Sequence, residues 1–124
     1  TILTSWSLES FAGNFKKQTI GEHVLNLLTA LKEAGLNSLV CSPLELELIQ
    51  KAEQEFGQTF FKVTPGIRMD FEINQDQKRV MGPREALDLG ADLLVVGRPI
   101  LRAQNKRQFV TEYLVKMLEE PRFK

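Results

Sequence analysis

The chain has 124 residues, 43% of them hydrophobic and 26% charged, which is typical of a globular domain and excludes a disordered or collagen-like chain. Sixteen Lys and Arg residues balance sixteen Asp and Glu residues, so neither a nucleic-acid-binding surface nor attraction to an anionic membrane is expected. The single cysteine, Cys41, cannot form an internal disulfide. No apolar run is long enough to span a membrane, and no targeting segment is visible, so we expect a cytoplasmic protein.

Four short apolar or β-branched runs predict four strands, and each run is followed by a segment with helical spacing. The runs are Thr1 to Thr4, Ser38 to Cys41, Phe60 to Thr64 and Leu93 to Gly97. Near-continuous apolar runs are typical of strands in a parallel sheet that helices cover. The sequence therefore predicts an α/β chain of four βα units, and this pattern alone fits both a doubly wound sheet and a (β/α)8 barrel.

Two helices are predicted between the first three strands. The first ends at Gly35, and its apolar residues at helical spacing are Val24, Leu27, Leu28 and Leu31. The second begins with Ser42 as N-cap and Pro43 as first residue, and it ends at Phe56 and Gly57. The residues of this helix that are predicted to point inward are Leu44, Leu48 and Ile49.

Two further helices are predicted on either side of the fourth strand. Pro83 opens a helix over Arg84 to Leu89, which Gly90 ends. The last helix runs from about Gln108 to Glu119 and stops before Pro121. Its predicted inward residues are Phe109, Val110, Tyr113, Leu114 and Leu118.

Small and charged residues follow the predicted strands at the edge where parallel sheets bind ligands. Gly97 lets the backbone approach a ligand closely, and the Arg98 guanidinium can hold an oxyanion with two parallel donors. These two residues predict a phosphate site. The alternative that the sequence leaves open is a tight turn with Arg98 paired to a surface carboxylate. The same two interpretations apply to Arg68, which ends the block Thr64-Pro65-Gly66-Ile67-Arg68.

Taken together, these blocks resemble the C-terminal half of the bacterial type of orotidine 5'-phosphate decarboxylase. The resemblance is carried by Thr64 to Arg68, by Asp76-Gln77-Lys78-Arg79 in the long predicted loop, and by Val96-Gly97-Arg98-Pro99-Ile100. The second block by itself also fits a solvated turn, but the set at these spacings is specific. The resemblance covers nearly the whole chain and implies a (β/α)8 TIM barrel, in which residues 1–124 form one segment with strands 5 to 8.

Members of this family are carbon-carbon lyases that convert orotidine 5'-monophosphate to UMP and CO2 in pyrimidine biosynthesis, with no metal and no organic cofactor. The resemblance implies that Gly97, Arg98 and Gln77 contact the 5'-phosphate. It matches Ser7, with Ser5 as the alternative, to a serine that contacts the pyrimidine. The full set of substrate-binding residues that it implies is Thr4, Ser7, Arg68, Gln77, Gly97 and Arg98.

The catalytic Lys and Asp residues of the family belong to an Asp-x-Lys-x-x-Asp motif on strands 2 and 3, and the sequence holds no match to it. Asp76-Gln77-Lys78 begins in the same way, but Met81 stands at the second Asp position and the segment follows the wrong strand. We therefore expect the N-terminal half with the catalytic array to lie upstream of Thr1, no catalytic residue in this chain, and no activity from the chain alone. His23 and Cys41 are expected to pack rather than to catalyse.

Four βα units cannot close an eight-stranded barrel, and an open half exposes an apolar face and strand edges. In one hypothesis, the N-terminal half of the barrel completes a homodimeric decarboxylase that binds orotidine 5'-monophosphate and UMP. In another, a second copy of the chain covers the face, and the assembly binds phosphate monoesters without turnover. A third keeps the barrel and assigns another phosphosugar or nucleotide chemistry, because fold does not determine function.

Overall fold

The computed structural model describes residues 19–68 and 81–119, and at residues 116–119 it describes the backbone alone. These residues form a parallel sheet of three strands in the order β1 (Ser38–Val40), β2 (Phe61–Pro65) and β3 (Leu93–Val95). The α/β class and three of the predicted strands are thereby confirmed. The predicted strand from Thr1 to Thr4 lies outside the described residues.

Helices connect the strands, as parallel pairing requires, because each strand must start again from the same edge of the sheet. They are α1 (Ile20–Glu33), α2 (Leu46–Phe56), α3 (Pro83–Asp88), α4 (Arg98–Arg102) and α5 (Lys106–Glu119), and a 3₁₀ turn over Pro43–Glu45 precedes α2. Among residues 19–68 and 81–119, no helix is both long enough and apolar enough to cross a membrane.

The start of α1 and the C-terminal ends of α1 and α2 follow local sequence signals. At the start of α1, the Thr19 hydroxyl accepts the Glu22 N–H at 3.2 Å, and the Glu22 carboxylate accepts the Thr19 N–H at 2.7 Å. Gly35 follows α1 with φ of 67°, and Gly57 ends α2 with φ of 62°. Glycine adopts this left-handed conformation without steric cost, so the predicted ends of both helices are confirmed.

The prediction that Leu44 points inward is wrong. Its side chain is 52% exposed, whereas Leu46 is fully buried. The cause is the 3₁₀ turn over Pro43–Glu45, which has three residues per turn and delays the start of α2 to Leu46. The α-helix therefore begins three residues later than the Ser42-Pro43 signal indicates.

The inward face predicted for the last helix is correct only in part. Tyr113 is 5% exposed and Phe109 is half-buried, with their ring centroids 5.4 Å apart. Leu114, predicted to be inward, is 50% exposed, and the side chain of Leu118 lies outside the described residues. Helix α5 packs on α3 and α4, and these two helices cover only part of its apolar face. Some of the apolar residues of α5 therefore remain exposed.

The two faces of the sheet have different surroundings. Lys62 and Thr64 of β2 are buried on the side that carries the helices. Residues on the opposite side are apolar yet 42–50% exposed, namely Val40, Phe61, Leu93 and Val95. The strand pairing places them on one face, since Val40 pairs with Val63 and Val63 pairs with Leu93. We call these four residues the open face.

An ionic cluster ties β2 to α2 and β3 at the amino ends of the strands. The Lys62 ammonium donates to Glu53 Oε1 at 2.7 Å and to the Phe60 carbonyl at 2.8 Å, and it lies 3.7 Å from Asp92 Oδ2. Glu53 Oε1 also accepts the Phe60 N–H at 2.7 Å. The buried cation is therefore compensated by two hydrogen bonds and by a second carboxylate nearby, as burial of a charge requires.

We predict that Glu53→Ala destabilises the chain by roughly 3–5 kcal/mol, because it leaves the buried Lys62 ammonium without its closest acceptor. The measurement is urea unfolding followed by circular dichroism. Glu55→Ala removes an exposed carboxylate from the same helix and is the matched control, with an expected change within about 0.5 kcal/mol. Equal losses for the two variants would contradict the role given to Glu53.

Candidate functional site

The backbone after β2 turns at Gly66, whose φ of 84° is left-handed. Ile67 then forms an isolated parallel bridge with Met81. The Met81 N–H donates to the Gly66 carbonyl at 3.3 Å, and the Arg68 N–H donates to the Met81 carbonyl at 3.0 Å. Arg68 is thereby fixed directly beyond the carboxyl end of β2.

The Arg68 side chain is 7% exposed, and its Nη1 donates to the Ile67 carbonyl at 2.8 Å. A guanidinium keeps its charge at any physiological pH, so this position is permanently cationic. A guanidinium presents five N–H donors in a fixed planar arrangement. This donor set at a strand end is suited to an oxyanion.

Gly97 and Arg98 follow β3 in the same way. The Gly97 carbonyl accepts the N–H groups of Ile100 at 3.0 Å and Leu101 at 3.1 Å, which starts the short helix α4 at Arg98. A Cβ added at Gly97 would meet no atom of the described residues within 4 Å. The backbone at Gly97 is therefore accessible to an approaching group, and the half-buried Arg98 side chain begins beside it.

The strand register relates the two arginines. Pro65 of β2 pairs with Val95 of β3, and Arg68 and Arg98 each lie three residues beyond this pair. Both cations therefore belong to the carboxyl edge of adjacent parallel strands, which is the edge where open α/β sheets bind ligands. Of the predicted substrate-binding residues, Arg68, Gly97 and Arg98 lie in the described part of the chain. The predicted residues outside it are Thr4, Ser7 with its alternative Ser5, and Gln77.

Cys41 has the properties of a packing residue. Its thiol is 2% exposed, and its Sγ lies 3.8 Å from the Thr64 hydroxyl. Burial raises the pKa of Cys41 to about 11, with a smaller opposing effect from the hydrogen bond to Thr64. A nucleophilic cysteine needs the opposite shift, so the sequence-based expectation for Cys41 agrees with its environment.

Glu45 is a buried polar residue that the sequence reasoning did not single out. It is 4% exposed, and its Oε2 accepts the Ser42 N–H at 2.9 Å, while the Ser42 hydroxyl accepts the Leu44 N–H at 3.4 Å. These bonds form a capping box, and the spacing of serine and glutamate three residues apart is its sequence signal. Glu45 thus stabilises the 3₁₀ turn after β1.

A cavity of about 480 Å³ lies between α1 and β1, away from the arginines. Leu28, Leu31, Val40 and other apolar side chains form most of its wall. None of the three described site residues lines it, so we do not assign a phosphate to it. Within residues 19–68 and 81–119, His, Cys, Asp and Glu side chains form no group that could hold a metal ion.

Comparisons with known proteins agree with one another. The profile of the family "Orotidine 5'-phosphate decarboxylase / HUMPS family" matches residues 1–113. The orotidine 5'-phosphate decarboxylase of Carboxydothermus hydrogenoformans is 45% identical over 117 residues, which are 94% of this chain and 48% of that protein. Its counterpart from Staphylococcus haemolyticus is 46% identical over 106 residues, 85% of this chain and 45% of that protein.

The crystal structure of orotidine 5'-phosphate decarboxylase from Lactobacillus acidophilus is similar in fold, with a TM-score of 0.67 and 29% identity. The alignment covers 95% of this chain and 47% of that chain. The chain therefore spans about half the length of the relatives that it matches.

We predict that Cys41 of the folded chain reacts slowly with a disulfide reagent such as dithionitrobenzoate. With a pKa of about 11, about one thiol in a thousand is ionised at pH 8, and burial further limits access. The measurement compares the rate in buffer with the rate in denaturant, where reaction should be faster by two orders of magnitude or more, on the order of the change in thiolate population and access. Similar rates in the two conditions would show that Cys41 is accessible and activated.

Proposed function

Because the chain belongs to the orotidine 5'-phosphate decarboxylase / HUMPS family, we propose that it supplies the nucleotide phosphate-binding half of an orotidine 5'-monophosphate decarboxylase. The complete enzyme replaces the carboxylate of the orotate ring by a proton and releases UMP and CO2. In this proposal the chain forms strands 5 to 8 of a (β/α)8 barrel, and the enzyme is a cytoplasmic homodimer.

The observation that carries the proposal is the pair of cationic strand ends. Arg68 follows β2 and Arg98 follows β3, and accessible backbone at Gly97 lies beside Arg98. A guanidinium binds a phosphate with two parallel charge-assisted hydrogen bonds, which is the strongest ordinary contact that a side chain makes to this group. Thr4, Ser7 and Gln77 complete the substrate site in this proposal, on the strength of the family resemblance.

The proposal separates binding from chemistry. Contacts to the phosphate lie far from the carboxylate that leaves, so they serve catalysis by holding the nucleotide in place rather than by moving a proton. No residue of this chain is proposed as catalytic, and no metal or organic cofactor is needed. The alternating Lys and Asp residues that act on the substrate carboxylate belong to the complementary N-terminal half.

The open face supports a complementary half. Four apolar side chains that are 42–50% exposed form a continuous surface on one side of a sheet, and such a surface in water is an aggregation hazard unless another element covers it. A second set of four strands with an apolar inner face would cover these side chains and close the sheet. The length of the relatives, about twice that of this chain, leaves room for such a set.

The open face also supports a second candidate function. A second copy of the chain would present the same apolar residues, and the net charge of zero means that two copies do not repel one another at long range. Such a self-associated half-barrel would bind phosphate monoesters through Arg68 and Arg98 without turnover.

Native mass spectrometry of the isolated protein separates the two candidates. The decarboxylase proposal predicts a second segment of about the same size that bears an Asp-x-Lys-x-x-Asp motif, either joined to this chain in one polypeptide or bound to it as a separate chain. The self-association proposal predicts a homodimer of the 14.1 kDa chain and no decarboxylation of orotidine 5'-monophosphate. A stable 14.1 kDa monomer that is neither joined to nor associated with another segment would contradict both.

We predict that Arg98→Ala weakens the binding of UMP by roughly 10- to 100-fold, on the scale of losing one or two hydrogen bonds to a charged group. The measurement is calorimetric titration with UMP, repeated with uridine, which lacks the phosphate. Binding of uridine should not change, because the substitution removes a contact to the phosphate alone.

Arg102→Ala is the matched control, since it removes the same charge from the other end of the same short helix. It should leave the affinity for UMP within about twofold, as expected for an exposed charge that is screened by salt. Unchanged affinity in Arg98→Ala, or an equal loss in both variants, would exclude Arg98 as the phosphate ligand.

A further inference from the structure

We propose that Asp92 is a positioning residue that fixes the register between β2 and β3. It thereby sets the placement of Arg68 relative to Gly97 and Arg98. The consequence for ligand binding rests on the function proposed above, whereas the consequence for strand pairing does not.

The contacts between Asp92 and Lys62 are reciprocal. The Lys62 backbone N–H donates to Asp92 Oδ2 at 2.8 Å, and the Asp92 N–H donates to the Lys62 carbonyl at 3.0 Å. The Lys62 ammonium lies 3.7 Å from the same Oδ2. Asp92 therefore recognises one residue of β2 through both backbone groups and the side chain, immediately before β3 starts at Leu93.

The apolar pattern of β3 does not specify this register by itself. Leu93-Leu94-Val95-Val96 is apolar at every position, so a slip by one residue places apolar side chains on both faces again. The open face also lets Leu93 and Val95 remain about half exposed, which lowers the penalty for exchanging the two faces. A polar contact that only one alignment can form therefore discriminates between registers. The side chain of Lys62 in this contact is 6% exposed and that of Asp92 is 40% exposed, so the contact lies at the border of the core.

The register at the amino ends determines the geometry at the carboxyl ends. Lys62 and Asp92 are 30 positions apart in the chain, as are the paired residues Pro65 and Val95, so the same alignment extends along both strands. A slip by one residue displaces β3 by about 3.3 Å along its axis. Residues of one binding site must be held to within about 0.5 Å of their productive positions, so a displacement of this size would move Arg98 out of its position relative to Arg68.

The first experiment measures strand pairing in the chain without ligand. Proton–proton Overhauser contacts by NMR are expected to join Val63 to Leu93 in the unsubstituted chain. In Asp92→Ala, a second set joining Val63 to Leu94 is expected, because the acceptor is gone. Asp92→Asn keeps an oxygen acceptor for the Lys62 N–H and should show the original set. If Asp92→Ala does not fold, Asp92→Glu is measured, and its displaced oxygens should also produce the second set.

The second experiment measures the affinity for UMP at a temperature where every variant is folded. Asp92→Ala is expected to bind UMP about tenfold more weakly, because a shifted β3 misplaces the binding groups at its carboxyl end. Asp92→Asn is expected to bind UMP within about threefold of the unsubstituted chain. Asp88→Ala is the matched control, because it removes a carboxylate that pairs with Arg84 on α3, outside the sheet. It should leave the affinity unchanged.

The outcomes distinguish this inference from the proposed function. If the unsubstituted chain does not bind UMP, the proposed function fails, and the Overhauser contacts still decide the role of Asp92. If Asp92→Ala and Asp92→Glu both keep only the contacts between Val63 and Leu93, the inference is wrong. It is also wrong if the second set forms and the affinity for UMP stays the same, since the register would then not position the site.

Discussion

The ammonium group of Lys62 lies buried where α2, β2 and β3 meet, and the arrangement of these elements depends on how its charge is compensated. Glu53 provides the nearest carboxylate at 2.7 Å, and the Phe60 carbonyl accepts a second hydrogen bond at 2.8 Å. Asp92 adds a carboxylate at 3.7 Å and binds the backbone of Lys62. Because an uncompensated buried charge is strongly destabilising, the three elements can pack only in positions that keep these partners in place.

This constraint lies at the amino ends of the strands, and the cationic residues lie at the opposite ends. Parallel strands transmit the alignment because the rise per residue is the same in β2 and β3, about 3.3 Å. The alignment set near Lys62 therefore also determines the position of Arg68 along the sheet. The contacts of Lys62 and the residues proposed to bind phosphate thus lie at opposite edges of one sheet.

Part of the candidate site was predictable from the sequence. The blocks that end in Arg68 and contain Gly97-Arg98 follow strands, and the structure places both at the carboxyl edge of adjacent strands, as the sequence pattern indicates. The roles of these residues toward phosphate remain predictions. The burial of Lys62 was not predicted, because a single lysine in an apolar run is typical of an exposed position in an edge strand. Its burial results from Glu53, which is nine positions earlier in another element.

The sequence alone determined the α/β class, the order of the three described strands and the C-terminal ends of the first two helices. These depend on local causes, such as the left-handed conformation of Gly35 and Gly57. Only the tertiary structure decided which face of the sheet is covered, because β3 is apolar on both sides and periodicity cannot distinguish them. It also decided that Leu44 is exposed, because the signal of Ser42 and Pro43 does not distinguish a 3₁₀ turn from the first turn of an α-helix. Burial depends on neighbours that are distant in the chain, and these neighbours cannot be identified from local sequence.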